Sequence, residues 1–218
     1  MHRSFFACGI CALLVVWNIP SASAAPLLLN GSFETPALAT GKALIGPTGD
    51  VWTYTHPAGV INPPGEPIPN QGDYGGYAAP DGAQYGFIQS GHNERGSISQ
   101  QIILAAGQYR LSFLEAGRAL GPFGPGVGGN QPYSITLSGT NLATFASTTG
   151  ETFTGRTVDF TAVAGTYALT FAAGGSLTSD NTTFLDKVVL TSVPEPATLA
   201  GFAFGCMALI RPRRKASK

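Results

Sequence analysis

Few residues between positions 25 and 192 have the type and spacing that reaction chemistry requires. Gly124-Pro125-Gly126-Val127-Gly128-Gly129 spells G-x-G-x-x-G. A dinucleotide fingerprint, however, needs a strand before it and a helix after it, whose N-terminus holds the pyrophosphate. Here the glycines lead through Gln131-Pro132 into the strand-like Tyr133 to Leu137, so the segment reads as a flexible loop. His56 and His92 stand alone, and His92-Asn93-Glu94 lacks the cysteines or second histidine of a zinc site. A G-x-S-x-G nucleophile elbow is absent. Glu115 and Glu151 supply the residue type for glycoside hydrolysis, but their setting predicts ordinary exposed or rim positions. Asn30-Gly31-Ser32 and Asn181-Thr182-Thr183 match a glycosylation sequon and read as turn residues. No catalytic set is expected.

Binding chemistry is better supplied. Sugars present apolar C–H faces and rings of hydroxyls, so their sites pair an aromatic platform with a few planar polar groups. Trp52, Tyr54, Tyr74 and Tyr77 cluster in or beside one long loop, and Arg118 opens a second. Arg118 has the fork of donors that suits vicinal hydroxyls or an acidic sugar. The expected ligand residues are therefore Trp52, Tyr74, Tyr77 and Arg118. The competing reading places Trp52 and Tyr54 in the core, with the tyrosines covering loop backbone.

The elements that would position them are strands. Tyr109, Leu111 and Phe113 alternate with Arg110 and Ser112, and Tyr167, Leu169 and Phe171 alternate with Ala168 and Thr170. Phe184, Val188 and Leu190 are expected to share a face with Asp186. Further strands are predicted at Val51 to Thr55, Gln84 to Gln89, Ser97 to Leu104, Tyr133 to Leu137 and Thr157 to Val163. The glycine- and proline-rich stretches His56 to Gly82 and Gly117 to Asn130 read as the two long loops. Ala106-Gly107-Gln108-Tyr109-Arg110-Leu111-Ser112-Phe113 is echoed 58 residues later by Ala164-Gly165-Thr166-Tyr167-Ala168-Leu169-Thr170-Phe171. The echo predicts two equivalent hairpins. Eight or so strands with no intervening helix imply an all-β fold, an antiparallel β-sandwich or jelly roll.

Charge and cysteine content exclude some functions. Residues 25–192 hold eleven acids and six bases, 11 − 6, a net charge of −5 without a basic cluster, which makes a poor nucleic-acid binder. Cys8, Cys11 and Cys206 all lie outside this stretch, which excludes a disulfide framework or a thiolate metal site within it.

The two ends read as addresses. Residues 1–24 combine His2 and Arg3, an apolar run from Phe5 to Trp17, and Ala22-Ser23-Ala24, the pattern of a signal peptide cut by signal peptidase after Ala24. In residues 193–218, Pro194-Glu195-Pro196 is followed by the uncharged Ala197 to Ile210 and then by Arg211, Arg213, Arg214, Lys215 and Lys218. Lysine and arginine resist crossing a membrane, so this tail is expected to stay cytoplasmic while the domain lies outside. Fourteen uncharged, mostly apolar residues fall short of the ~20 that usually span, which predicts a short, marginal transmembrane helix.

The order of these three parts resembles the PEP-CTERM sorting signal, which an exosortase reads. The resemblance implies transient residence in the inner membrane, removal of the tail, and delivery to the surface or extracellular polysaccharide of a Gram-negative bacterium. Leu28-Leu29-Asn30-Gly31-Ser32-Phe33-Glu34 and Phe184-Leu185-Asp186-Lys187-Val188-Val189-Leu190 resemble the first and last strands of galactose-binding-like β-sandwiches, the fold of many carbohydrate-binding modules. That resemblance implies a structural Ca2+ at Glu34 and Asp186. The competing reading leaves Glu34 exposed and Asp186 bonded to backbone or a cation. The expected protein is thus an exported binder of polysaccharide rather than an enzyme. The alternatives are a scaffold of the exopolysaccharide or biofilm matrix without a discrete site and, third, a polysaccharide-active enzyme.

Overall fold

The computed structural model describes residues 27–63, 77–91, 93–118, 130–148, 152–178 and 181–193. The expected signal and transmembrane helices, and with them Ala24, Pro194, Glu195, Pro196, Arg211, Arg213 and Arg214, lie outside the described residues. So do Tyr74, His92, Glu151 and the G-x-G-x-x-G stretch. The rest is all β, with no helix among the described residues.

Twelve strands form two antiparallel sheets. They are β1 (Lys42–Ile45), β2 (Thr53–Thr55), β3 (Ala58–Asn62), β4 (Tyr85–Gly91), β5 (Glu94–Arg95), β6 (Ser97–Leu104), β7 (Gly107–Gly117), β8 (Asn130–Leu137), β9 (Thr140–Thr148), β10 (Thr154–Ala162), β11 (Gly165–Ala173) and β12 (Asn181–Val193). The larger sheet runs β1-β3-β4-β12-β7-β10, with β5 beside β4, and the smaller runs β2-β6-β11-β8-β9. Ile98, Leu111, Phe113, Ile135, Leu169, Phe171 and Leu190 fill the space between them. This is the alternation that period two demands of strands with one face buried.

The echoed octapeptides do not make hairpins. β6 pairs with β11 and β7 pairs with β10, so Ala105-Ala106 and Val163-Ala164 are arches that carry the chain from one sheet to the other. Glycine supports either turn, and only the pairing partners decide between them. Each arch is closed alike, by Tyr109 donating to Ala105 O at 2.8 Å and Tyr167 to Val163 O at 3.0 Å. A true hairpin joins β8 to β9 through Ser138 and Gly139, both at positive φ (47° and 84°), the turn that matches strand twist.

β12 bulges between Asp186 and Val189, with Lys187 at φ 51°. The bulge breaks the face expected to be shared. Val188 and Leu190 point into the main core, whereas Phe184 joins a second cluster with Ile61, Tyr85, Phe87 and Ala116 on the opposite face of the larger sheet. The segment expected as a first strand, Leu28 to Glu34, is not a regular strand. It docks on the bulge through Val188 N–H to Gly31 O (2.9 Å), and the Gln100 amide grips the Leu29 backbone from the other sheet. A Cβ on Gly31 would lie 2.0 Å from Val188 O, so glycine is required for this approach.

Candidate functional site

The two ends of the sandwich differ in chemistry. Among the described residues thirteen polar or charged side chains are buried, and nine of them, Gln89, Ser90, Glu115, Arg118, Gln131, Ser147, Asn181, Thr182 and Thr183, gather toward one end. Register places them together. Ser90 faces Asn181 and Gln89 faces Thr182 across β4 and β12, while Gln131 faces Ser147 across β8 and β9. Thr183 pairs with Gly117, next to Arg118. The Ser147 and Thr183 hydroxyls bond at 2.9 Å, joining the two sheets. Arg118 N–H donates to Thr182 O and to Gln131 Oε1. A sheet interior normally excludes such groups. Here the apolar core stops short, and a hydrogen-bonding lattice closes the end from which the Gly117 to Asn130 loop springs.

Beneath this lattice lies an ion pair whose acid is buried and whose base is partly exposed. Glu115, 1% exposed, points between the sheets and accepts from Arg156 Nε at 2.6 Å. The Arg156 guanidinium also sits 5.3 Å from the Phe145 ring centre. Burial, and next the adjacent Glu115 carboxylate, push the Tyr133 hydroxyl well above the usual phenol range. The expected exposed or rim position of Glu115 is therefore corrected. Continuing the period of Tyr109, Leu111 and Phe113 puts it inside, where a partner from β10 makes an acid tolerable.

On the outer face of the larger sheet near this end, aromatic rings form a ledge. Tyr85 and Phe184 are buried with centroids 5.0 Å apart. Tyr77 and Phe153, both half-buried, meet edge to face at 6.2 Å. Tyr77 also lies 6.3 Å from Phe184, a residue that pairs with Ala116 two positions before Arg118.

The structure therefore brings Tyr77 to the neighbourhood of Arg118 and leaves Trp52 elsewhere. Trp52 is 2% exposed, stacks on Phe33 at 5.4 Å and donates its indole N–H to Asn30 O at 2.8 Å. With no open face it is a core residue. Tyr54 leans the same way and donates to Asp50 Oδ2. Arg118 is 6% exposed and its backbone is tied into the polar lattice, so it is buried at that end rather than reaching out from a loop. Phe153 and the buried amides were not foreseen. Phe153 immediately precedes β10 within Glu151-Thr152-Phe153-Thr154, where nothing local distinguishes a ledge aromatic from a core one.

Glu34 and Asp186 come together through a third acid. Glu34 Oε1 accepts from the amides of Ala83 and Gln84, each at 2.9 Å. Asp186 Oδ2 accepts from Asp81 N–H at 2.9 Å and Oδ1 from Lys187 N–H at 2.6 Å. The Ser32 hydroxyl donates to Asp81 Oδ2 at 2.8 Å. Asp186 is fully buried, and its carboxyl is pushed up to about 7, first by burial and then by Asp81 and Glu34 against the pull of two amides. Among the described residues no three acid or histidine side chains already surround one point as metal ligands. The oxygen donors are nonetheless of the hard type a Ca2+ takes.

Comparison with known proteins places the fold. A CBM61 module in complex with beta-1,4-galactotriose superposes with a TM-score of 0.51 at 18% identity, over 78% of this chain and the whole of that one. The chain shares the fold of carbohydrate-binding modules. A family 35 carbohydrate-binding module from Clostridium thermocellum (TM-score 0.40, 21% identity, 65% of this chain and 92% of that one) is also similar. So is the CBM22-1 xylan-binding domain from Paenibacillus barcinonensis (TM-score 0.43, 15% identity, 73% and 100%). No protein-family model matches the chain, and no curated protein does.

Proposed function

We propose that the domain binds polysaccharide without cleaving it, at the polar end of the sandwich, with Tyr77 and Phe153 as the aromatic margin. The observation that carries this reading is the collection of nine buried polar side chains at one end of the sandwich, beside a half-buried aromatic pair. Hydroxyl-rich ligands need both elements. The modules that share the fold include one crystallised with galactotriose. Glu115 is committed to Arg156, an arrangement that braces a binding end. Retention of residues 25–193 on the organism's own exopolysaccharide in affinity electrophoresis tests the reading. Retention of the wild type with loss in Tyr77→Ala and Phe153→Ala supports it. No retention on any glycan overturns it in favour of a scaffold.

Export and sorting complete the proposal. The sequences at the two ends suit cleavage by signal peptidase after Ala24, transient anchoring in the inner membrane by residues 197–210, and exosortase cleavage near Pro194-Glu195-Pro196. The protein would then lie at the cell surface or in the extracellular matrix. Intact mass of the surface form tests this, and Lys218 still attached would leave a plain anchor.

A calcium ion shared by Glu34 and Asp186, with Asp81 beside them, is the remaining part. It would offset the mutual repulsion of acids brought together around a buried carboxylate. EDTA should lower the melting temperature of the wild type and leave that of Asp186→Ala unchanged.

A further inference from the structure

The end opposite the polar lattice is built from the two arches, and their tips are apolar. Leu104-Ala105-Ala106-Gly107 and Ala162-Val163-Ala164-Gly165 carry no charge. Ile103 and Val163 are 78% and 72% exposed, the highest values of any large apolar side chain among the described residues. Val163 stands three residues before Thr166, the partner of Ile103, so both belong to this end. The chain leaves the sandwich at this same end, because Val193 pairs with Gln108, the second residue of β7. Beside the exit, a depression of about 360 Å³ holds Arg110 and Asp159, which neutralise each other through two hydrogen bonds of 2.7 Å.

Only Pro194-Glu195-Pro196 separates Val193 from the uncharged segment that begins at Ala197. Four residue steps reach at most about 14 Å. With that segment in a bilayer, the arch end cannot stand farther than this from the surface. We propose that the arch end rests on the lipid bilayer while the tail is attached, with Ile103 and Val163 at the boundary between headgroups and acyl chains. Exposed apolar residues on a tip without net charge suit that boundary. Strand β7, eleven residues long, holds the polar end about 35 Å away. The candidate glycan end therefore faces outward before the tail is cut. The inference rests on the anchoring reading of residues 197–210.

The experiment uses the full chain in phosphatidylcholine–phosphatidylglycerol vesicles, in a background of Cys8→Ser, Cys11→Ser and Cys206→Ser. Single cysteines are introduced by Ile103→Cys, Val163→Cys or, at the polar end, Ser176→Cys, each checked for an unchanged melting temperature and labelled with a polarity-sensitive dye. Labels at 103 and 163 should be quenched by nitroxide lipids at least two-fold more than the label at 176, and aqueous iodide should reverse the order. A chain that fails to float with vesicles overturns the anchoring reading and the inference with it. A chain that floats but shows equal lipid quenching at both ends, or more at 176, overturns the inference alone.

Discussion

Asp186 gives the sharpest test of the electrostatics. Its carboxyl sits at about 7 in the folded protein against an ordinary 3.8, so the folded state binds the proton more tightly than the unfolded chain. For a group raised on folding, the stability it lends is fully present below about pH 4 and is lost as pH rises through about 7. Three units at 1.36 kcal/mol each amount to about 4 kcal/mol, and local relaxation reduces this to roughly 2–4 kcal/mol. Only about two of those units lie between pH 5 and the folded value, so roughly 1.5–2.5 kcal/mol is lost in that window, and at about 2–4 °C per kcal/mol for a domain of this size melting should fall by roughly 3–10 °C between pH 5 and pH 8 in EDTA. The acids facing Asp186 are Asp81 and Glu34. Asp186→Asn should flatten the slope, costing about 1–2 kcal/mol at pH 5, because its amide NH2 turns toward one of the two backbone donors, and losing that disadvantage by pH 8, where the wild type must bury a charge. Millimolar Ca2+ should raise melting more at pH 8 than at pH 5. Scanning calorimetry of residues 25–193 reads all three. Equal slopes in wild type and Asp186→Asn would refute the assignment of the perturbed carboxyl, and an unchanged slope in Ca2+ would remove the metal.

Three further outcomes follow from the packing. Trp52→Ala should destabilise the domain by about 3–5 kcal/mol in denaturant melts while leaving glycan retention of the folded fraction intact, whereas Tyr77→Ala should do the reverse. Arg156→Met should cost about 3–5 kcal/mol by stranding Glu115, and Glu115→Gln in the same chain should recover much of the loss, a coupling that a double-mutant cycle measures. Tyr109→Phe should cost about 1 kcal/mol in urea unfolding, and Tyr167→Phe less, since its arch bond is exposed and water replaces it.

Most of the strands legible in the sequence have one wet face, β4, buried throughout, being the exception. β6, β7, β8, β10 and β11 alternate clearly because solvent meets every second residue. β3 escaped notice because both of its faces are covered and Ala58-Gly59-Val60-Ile61-Asn62 is buried throughout, which removes the period. β9 escaped because the register shift near Asn141 to Ala143 interrupts its alternation. The arches look like hairpins in sequence because a glycine turn has the same local signature whether its arms pair with each other or with distant strands. For the site, Tyr77 was visible as an aromatic in a loop. The polar lattice was not, since Gln89, Ser90, Asn181 and Thr182 look like ordinary strand-end residues until β4, β12 and β7 lie side by side. Glu34 and Asp186 could be matched from a strand resemblance, but Asp81 belongs to a loop that only the fold brings between them.

β12 has a mechanical consequence. It is the longest strand, thirteen residues, and it lies in the middle of its sheet between β4 and β7. Tension entering at Val193 and resisted at the far end of the sandwich pulls along the strand axis. Its hydrogen bonds to both neighbours then share the load in shear and must fail nearly together, whereas a peripheral strand pulled sideways would peel away one bond at a time. The element from which the tail departs is thus the one best placed to hold a loaded domain intact.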